Sequence, residues 1–133
     1  MKILIAEDNN VTRLLLQKLM RGFEVHSVVT GVEALEAVKI SYEEENPYDI
    51  IFMDIMMPEM DGLESVKNIR ALEMKIGIKI PMNIIMLTAC NNEGNVTQAQ
   101  TSGCNGYVVK PLSKKRLFYE VDKVRYQQWT GVR

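Results

Sequence analysis

The chain has 133 residues, enough for one compact domain with a sizeable core, and its 47% hydrophobic and 25% charged content is typical of a globular protein. A net charge of −1 gives no reason to expect nucleic-acid or membrane binding through bulk electrostatics. The apolar runs are shorter than the roughly 20 residues that cross a bilayer, and no signal-type segment opens the chain. We therefore expect a single cytoplasmic domain over residues 1–133, without membrane insertion or direct nucleic-acid contacts.

The first part of the chain alternates between short apolar runs and amphipathic stretches. The run "KILIA" predicts a first strand, and "FEVHSVV" alternates in the manner of a second strand. Between them lies a helical pattern carried by Val11, Leu14, Leu15 and Leu19. Thr30 then suits the N-cap of a second helix, which the Asn46–Pro47 pair ends.

The alternation continues to the end of the chain. "DIIFM" predicts a third strand that ends on Asp54, and a helix follows from Gly62 to about Met74. "PMNIIMLTA" and "GYVVKP" predict the fourth and fifth strands, and the polar residues 91–102 between them predict a fourth helix. A last helix buries one apolar stripe, formed by Leu117, Phe118, Val121 and Val124.

Five strands that alternate with five helices indicate βαβ units. We predict an α/β fold of the doubly wound (βα)5 type, with a five-stranded parallel sheet in the flavodoxin-like order 2-1-3-4-5 and helices on both faces. Ligands bind such sheets beyond the carboxyl ends of the strands, at the point where the strand order reverses. The residues that end each strand are therefore the candidate site.

Polar side chains stand at these strand ends. Glu7 and Asp8 follow the first strand, Asp54 ends the third, Thr88 ends the fourth, and Lys110 follows the fifth. Three clustered carboxylates repel one another, and a divalent cation with oxygen ligands is the usual remedy. A site with this cation and one lysine suits a phosphoryl group bridged by Mg²⁺.

Four segments in this order, "ILIAEDN", "DIIFMDIMMPEMDG", "IIMLTA" and "GYVVKP", make the whole chain similar to the receiver domain of two-component response regulators. The resemblance implies that Asp54 is the phosphoacceptor and takes its phosphoryl group from a phosphohistidine. It further implies a phosphoacceptor switch rather than an enzyme, although such a domain assists its own phosphorylation and dephosphorylation. The donor would be a histidine kinase or a histidine phosphotransfer protein.

The resemblance also assigns roles to the other site residues. Asp8 and Asp54 would hold Mg²⁺ directly, Glu7 would act through a bound water, and the backbone carbonyl of Met56 would be a further ligand. Lys110 would pair with the acyl phosphate, and the Lys110–Pro111 bond is commonly cis in this family. A separate pair would form the switch, with Thr88 bonding the phosphoryl group and Tyr107 as the switch aromatic.

By the same resemblance, phosphorylation changes the protein contacts of the surface formed by the predicted fourth helix, the fifth strand and the last helix. The recipient would be a downstream effector or an output domain absent from this chain. Met56 and Cys90 would flank the phosphoryl group, and neither side chain orients a water molecule, so we expect a long-lived phosphorylated state. Met1 stands directly before the first strand, which favours a natural N-terminus.

Several alternatives stay open at this point. From the residues alone, Glu7 and Asp8 also suit the N-terminus of the following helix, and Tyr107 also suits a core position. A phosphatase of the haloacid dehalogenase type would need an acid at Met56, and a flavodoxin would need a phosphate-binding loop in place of "EDNN". A receiver-like module that works without phosphorylation would be expected to lack an acidic, acceptor or lysine residue.

Overall fold

A computed structural model describes residues 1–89 and 102–131. Its strands are β1 (Lys2–Ala6), β2 (Glu24–Val28), β3 (Ile50–Asp54), β4 (Asn83–Thr88) and β5 (Gly106–Val109). The described helices are α1 (Asn10–Leu19), α2 (Gly31–Glu43), α3 (Gly62–Ile76) and α4 (Lys114–Thr130). The helix predicted over residues 91–102 lies outside the described residues, apart from its last position. Among the described helices, none has the length and apolar character that a membrane crossing requires.

The five strands form one parallel sheet in the order β2-β1-β3-β4-β5, so the predicted doubly wound fold is confirmed. The order reverses between β1 and β3, which lie side by side although β2 separates them in the chain. The register pairs Ala6 with Met53 and Asp54 with Leu87. It also pairs Thr88 with Val109. Strand ends that carry the candidate residues are therefore neighbours at one edge of the sheet.

Alternate side chains of each central strand enter two separate cores. Ile3 and Ile5 face α1 and α4, whereas Leu4 and Ala6 face α2 and α3. The strand residues are buried throughout β1, β3 and β4, as expected for a parallel sheet covered on both faces. This double burial explains why these strands are continuous apolar runs.

Each described helix starts at a residue whose side chain accepts a hydrogen bond from a backbone amide three positions later. These N-caps are Asn9, Thr30, Asp61 and Ser113. Such caps satisfy amides that have no partner inside the helix. The prediction for Thr30 is confirmed, and Asn9, rather than Glu7 or Asp8, caps α1.

The apolar stripe predicted for α1 is only partly the buried one. Leu16 and Met20 are fully buried, whereas Val11 is 77% and Leu14 is 61% exposed. The helix carries two apolar stripes at helical spacing, one on each side, and the sheet covers only one of them. Periodicity does not show which stripe faces the core, so the sequence pattern identifies Val11, Leu14 and Leu15 as an apolar stripe but not as an exposed one.

Candidate functional site

The structure brings the predicted site residues together at the carboxyl ends of the strands. Glu7 follows β1, Asp54 ends β3, and Lys110 follows β5. Nζ of Lys110 lies 2.8 Å from Oε1 of Glu7 and 3.3 Å from Oδ1 of Asp54. Glu7 is fully buried and Asp54 is 4% exposed, so the lysine neutralises charge that water does not reach.

Asp8 completes a cluster of three carboxylates. Glu7, Asp8 and Asp54 each offer an oxygen, and these oxygens lie within 4.8 Å of one another. Asp8 is exposed, so the cluster opens to solvent on one side. Mg²⁺ binds oxygens at about 2.1 Å and keeps several waters, so it needs a compact, partly open set of hard oxygen donors. Oε1 of Glu7 is buried, and Nζ of Lys110 is its ion-pair partner at 2.8 Å. The residues present therefore fit Mg²⁺.

Local structure fixes the acidic residue at the bottom of the cluster. The backbone N–H of Asn9 donates to Oε2 of Glu7 at 3.2 Å, and Asn9 also caps α1. Arg13 on α1 donates to the backbone carbonyl of Glu7 at 3.1 Å. The start of α1 thus holds Glu7 in place, and the reading of Glu7 and Asp8 as helix caps is wrong.

The two buried carboxylates influence each other's ionisation. Burial, followed by the hydrogen bond to Glu7 and its charge, raises the pKa of Asp54 to about 7, against the opposing effect of Lys110. Burial alone would raise the pKa of Glu7 as well. Hydrogen bonds to Asp54 and Lys110 outweigh burial there, so the pKa of Glu7 lies below its ordinary value. Of the two, Asp54 therefore holds a proton more tightly, and it is the group whose ionisation a bound cation or a rise in pH would favour.

The turn after Asp54 depends on a glycine that the sequence reading treated only as the start of a helix. Gly62 donates its N–H to the carbonyl of Ile55 at 2.8 Å. A Cβ at Gly62 would lie 2.1 Å from the backbone oxygen of Asp54, so a side chain here would displace the acceptor. In the sequence, Gly62 is only the first residue of a predicted helix, eight positions after Asp54, and nothing there indicates this close approach.

The hydroxyl and the lysine come from neighbouring strands. Thr88 is buried at the end of β4, and its carbonyl accepts the N–H of Lys110 at 2.7 Å. The Lys110–Pro111 bond is cis, as the resemblance implied. Tyr107 is half-buried against the core formed with α2 and α3, so its switch role stays a prediction. Met56 is 75% exposed, and Cys90 lies outside the described residues.

A family model for the response regulator receiver domain matches residues 3–122. The chain belongs to the response regulator receiver domain family. The prediction of the family from four sequence segments is therefore confirmed.

One relative of this receiver domain is a much longer protein. It is 39% identical over 122 residues to hybrid signal transduction histidine kinase I of Dictyostelium discoideum, covering 90% of this chain and 7% of that protein. The chain thus spans a small part of the length of that relative.

Two solved structures share the fold. The receiver domain of Ssk1, bound to the histidine phosphotransfer protein Ypd1 of Saccharomyces cerevisiae, has a TM-score of 0.86 and 29% identity over 96% of this chain and 90% of that chain. The receiver domain of sensor histidine kinase PA1611 of Pseudomonas aeruginosa PAO1 holds a magnesium ion in its active-site cleft. Its TM-score is 0.76, with 30% identity over 98% of this chain and 97% of that chain.

Proposed function

We propose that this receiver domain is a phosphorelay switch in the cytoplasm, in which Asp54 accepts a phosphoryl group from a phosphohistidine with the help of Mg²⁺. The observation that carries the proposal is the position of Asp54. Its carboxylate lies 3.3 Å from Nζ of Lys110 and beside the carboxylates of Glu7 and Asp8, with the exposed Asp8 side open to a donor. This arrangement combines a nucleophile with positive charge and oxygen ligands at one solvent-accessible point.

The proposed transfer follows from this chemistry. An ionised oxygen of Asp54 attacks phosphorus, so an O–P bond forms while the N–P bond of the phosphohistidine breaks and its nitrogen takes the electron pair. Lys110 then pairs with the phosphoryl oxygens, and Thr88 bonds one of them from the end of β4. Mg²⁺, when bound, neutralises further charge on these oxygens. Glu7, Asp8 and Asp54 would hold it, together with the carbonyl of Met56.

The exposed stripe on α1 supplies a surface for the donor protein. Val11 and Leu14 are 77% and 61% exposed, and Leu15 is 41% exposed. The helix that carries them starts three residues after Glu7, next to the acidic cluster. Contiguous exposed apolar side chains mark protein-binding sites more often than isolated ones. We therefore propose that a histidine kinase or a histidine phosphotransfer protein packs on α1 and directs its phosphohistidine at Asp54.

The output of the switch is the contact that phosphorylation changes. We propose that Thr88 moves toward the phosphoryl group and Tyr107 moves with it, which alters the surface near β5 and α4. Tyr107 is half-buried, so it has room to become either more exposed or more buried. The recipient is a downstream effector protein or an output domain, and the chain acts as a switch for it rather than as an enzyme.

Phosphotransfer to the purified domain tests the proposal. Incubation with acetyl phosphate and Mg²⁺ should give one phosphoryl adduct by mass spectrometry, and Asp54→Asn should abolish it because an amide is not a nucleophile. Asp61→Asn is a matched control at the same edge of the sheet, since asparagine also caps α3. An Asp54→Asn protein that is modified as fully as the parent would refute Asp54 as the acceptor. A parent that stays unmodified would favour the interaction module that works without phosphorylation.

A further inference from the structure

The first residue of α2 is bonded to the loop that follows the acceptor. This β3–α3 loop, residues 55–61, runs from Asp54 to α3. The N–H of Gly31 donates to the backbone carbonyl of Met60 at 3.1 Å. Gly31 is buried, and a Cβ at this position would lie 2.1 Å from that carbonyl oxygen and 2.8 Å from its carbon. No side chain fits at Gly31 unless the loop moves.

A buried serine makes the second bond of the same junction. Ser65, on the first turns of α3, is fully buried, and its Oγ donates to the carbonyl of Gly31 at 2.9 Å. The N–H of Ser65 in turn donates to the carbonyl of Asp61, the N-cap of α3. Both backbone groups of Gly31 are thus bonded to the loop and to the helix that follows it.

The two ends of the loop are fixed to different parts of the molecule. Near its start, Ile55 is bonded to Leu87 of β4 and to Gly62, which keeps Asp54 in register with the sheet. Near its end, Met60 is held by Gly31 of α2. Met56 lies between these attachments, with its side chain exposed and its carbonyl in the stretch that they fix. The Gly31–Met60 bond therefore fixes the end of the loop that leads into α3.

We propose that Gly31 and Ser65 are positioning residues that hold the β3–α3 loop in the conformation that the Asp54 site requires, and so set the affinity for Mg²⁺. Neither residue contacts the carboxylate of Asp54, so both act through the backbone of the loop. The claim about Mg²⁺ affinity rests on the proposed function. The claim that the two residues hold the loop rests on the contacts at Met60. Outer contacts that orient metal ligands commonly change metal affinity by about 10- to 100-fold.

The test compares Gly31→Ala and Ser65→Ala with Val38→Ala, a cavity variant on α2 whose parent side chain is fully buried in the same core. Three quantities are measured on each full chain: stability by urea unfolding, Mg²⁺ affinity by calorimetry, and amide hydrogen exchange over residues 55–62. Gly31→Ala should weaken Mg²⁺ binding by about tenfold and accelerate exchange of the loop. Ser65→Ala should do the same to a smaller extent. Val38→Ala should lose stability alone.

The phosphorylation rate distinguishes a variant whose loop is misplaced from one whose nucleophile no longer reacts. With acetyl phosphate, saturating Mg²⁺ should restore the rate of both positioning variants to within about twofold of the parent, because Asp54 itself is unchanged. If Gly31→Ala fails to fold, Ser65→Ala carries the test, since it removes only one oxygen.

Two negative outcomes are distinct. Unchanged loop exchange and Mg²⁺ affinity in variants that are as destabilised as Val38→Ala would overturn the positioning role and leave the proposed function intact. A parent that binds no Mg²⁺ and forms no adduct would overturn the proposed function. The exchange of residues 55–62 would then still decide whether Gly31 and Ser65 hold the loop.

Discussion

Nζ of Lys110 lies closer to Glu7, at 2.8 Å, than to Asp54, at 3.3 Å. Burial alone would lower the pKa of Lys110, but the hydrogen bond to Glu7 and the charges of both carboxylates outweigh it, so the pKa lies above its ordinary value. The lysine thus lies nearer to Glu7 than to Asp54, the proposed phosphoacceptor.

Removal of this lysine should destabilise the domain more at pH 8 than at pH 5. At pH 5 Asp54 holds a proton, whereas at pH 8 Lys110→Gln leaves two ionised buried carboxylates without a cation. We expect a loss of about 2 kcal/mol at pH 8, below the value for a fully buried pair because Lys110 is partly exposed. Urea unfolding at both pH values measures it, with the exposed Lys115→Gln as the control. Equal losses of stability at the two pH values would show that Lys110 does not compensate the charges of Glu7 and Asp54.

The affinity for Mg²⁺ should depend on pH through Asp54. The pKa of Asp54 is raised from 3.8 to about 7, so the folded state binds this proton more tightly than the unfolded state does. The stabilisation that this group contributes is therefore complete below about pH 4 and is lost as the pH rises through 7. Mg²⁺ needs the ionised form, so binding releases a proton below pH 7. We expect about a fivefold gain in affinity from pH 6 to pH 7, as the ionised fraction of Asp54 rises to about one half, and little change above pH 8. A flat calorimetric profile from pH 6 to pH 8 would rule out this coupling.

Another buried acid, Glu73, lies at the opposite edge of the sheet. Glu73 on α3 is 2% exposed, and it accepts hydrogen bonds from the hydroxyl of Tyr42, the N–H of Met82 and the guanidinium of Arg70. Burial and then the bond to Glu73 raise the pKa of Tyr42 well above its ordinary value. Since the folded state holds the phenol proton more tightly, the stability from this group is present below about pH 10 and is lost above it.

Tyr42→Phe should therefore lower the free energy of unfolding by about 1–2 kcal/mol at pH 8, because Glu73 loses one donor while it stays buried. Between pH 9 and pH 11 the parent should lose stability more steeply than the variant, which has no phenol to ionise. Tyr126→Phe, at an exposed position on α4, is the control. A variant as stable as the parent at pH 8 would show that the Tyr42–Glu73 contact contributes nothing.

Leu14→Asp should slow phosphotransfer from a histidine phosphotransfer protein by about tenfold or more, as a charge on a buried interface residue does. It should leave phosphorylation by acetyl phosphate unchanged, because this small donor needs no docking surface. Met74→Asp, at an 84% exposed position on α3, is the matched control. Equal rates from the phosphotransfer protein for Leu14→Asp and the parent would exclude α1 as the docking face.

The sequence predicts the fold and the meeting of the candidate residues because both follow from strand order. Once five apolar runs were assigned to a parallel sheet, the residues after each run had to meet at one edge. For this reason the sequence alone identifies Glu7, Asp54 and Lys110 as candidate site residues. The boundaries of the elements differed by one to three residues, as at α3, which ends at Ile76 rather than near Met74.

Other features depend on contacts between helices and strands, and the hydrophobic pattern of the sequence does not predict these contacts. Glu73 looks like a solvent-facing residue of an amphipathic helix, and only the contacts from α2 and from the start of β4 show it to be buried. Likewise, the Gly31–Met60 bond joins residues 29 positions apart that share no motif. The buried side of α1 also required the structure, since both of its apolar stripes satisfy the helical period.

The two apolar stripes of α1 are under different evolutionary constraints, one for the stability of the core and the other for contacts at the surface. Changes at Leu16 or Met20 alter the core and are limited by stability. Changes at Val11, Leu14 or Leu15 touch only the exterior, where substitutions have small effects on folding. If the donor protein packs on α1 as proposed, a lineage can exchange three outward side chains and acquire a different donor while the proposed acceptor chemistry at Asp54 is inherited unchanged. Duplicated receiver domains would by this route have a short mutational path to pathways that do not cross-react.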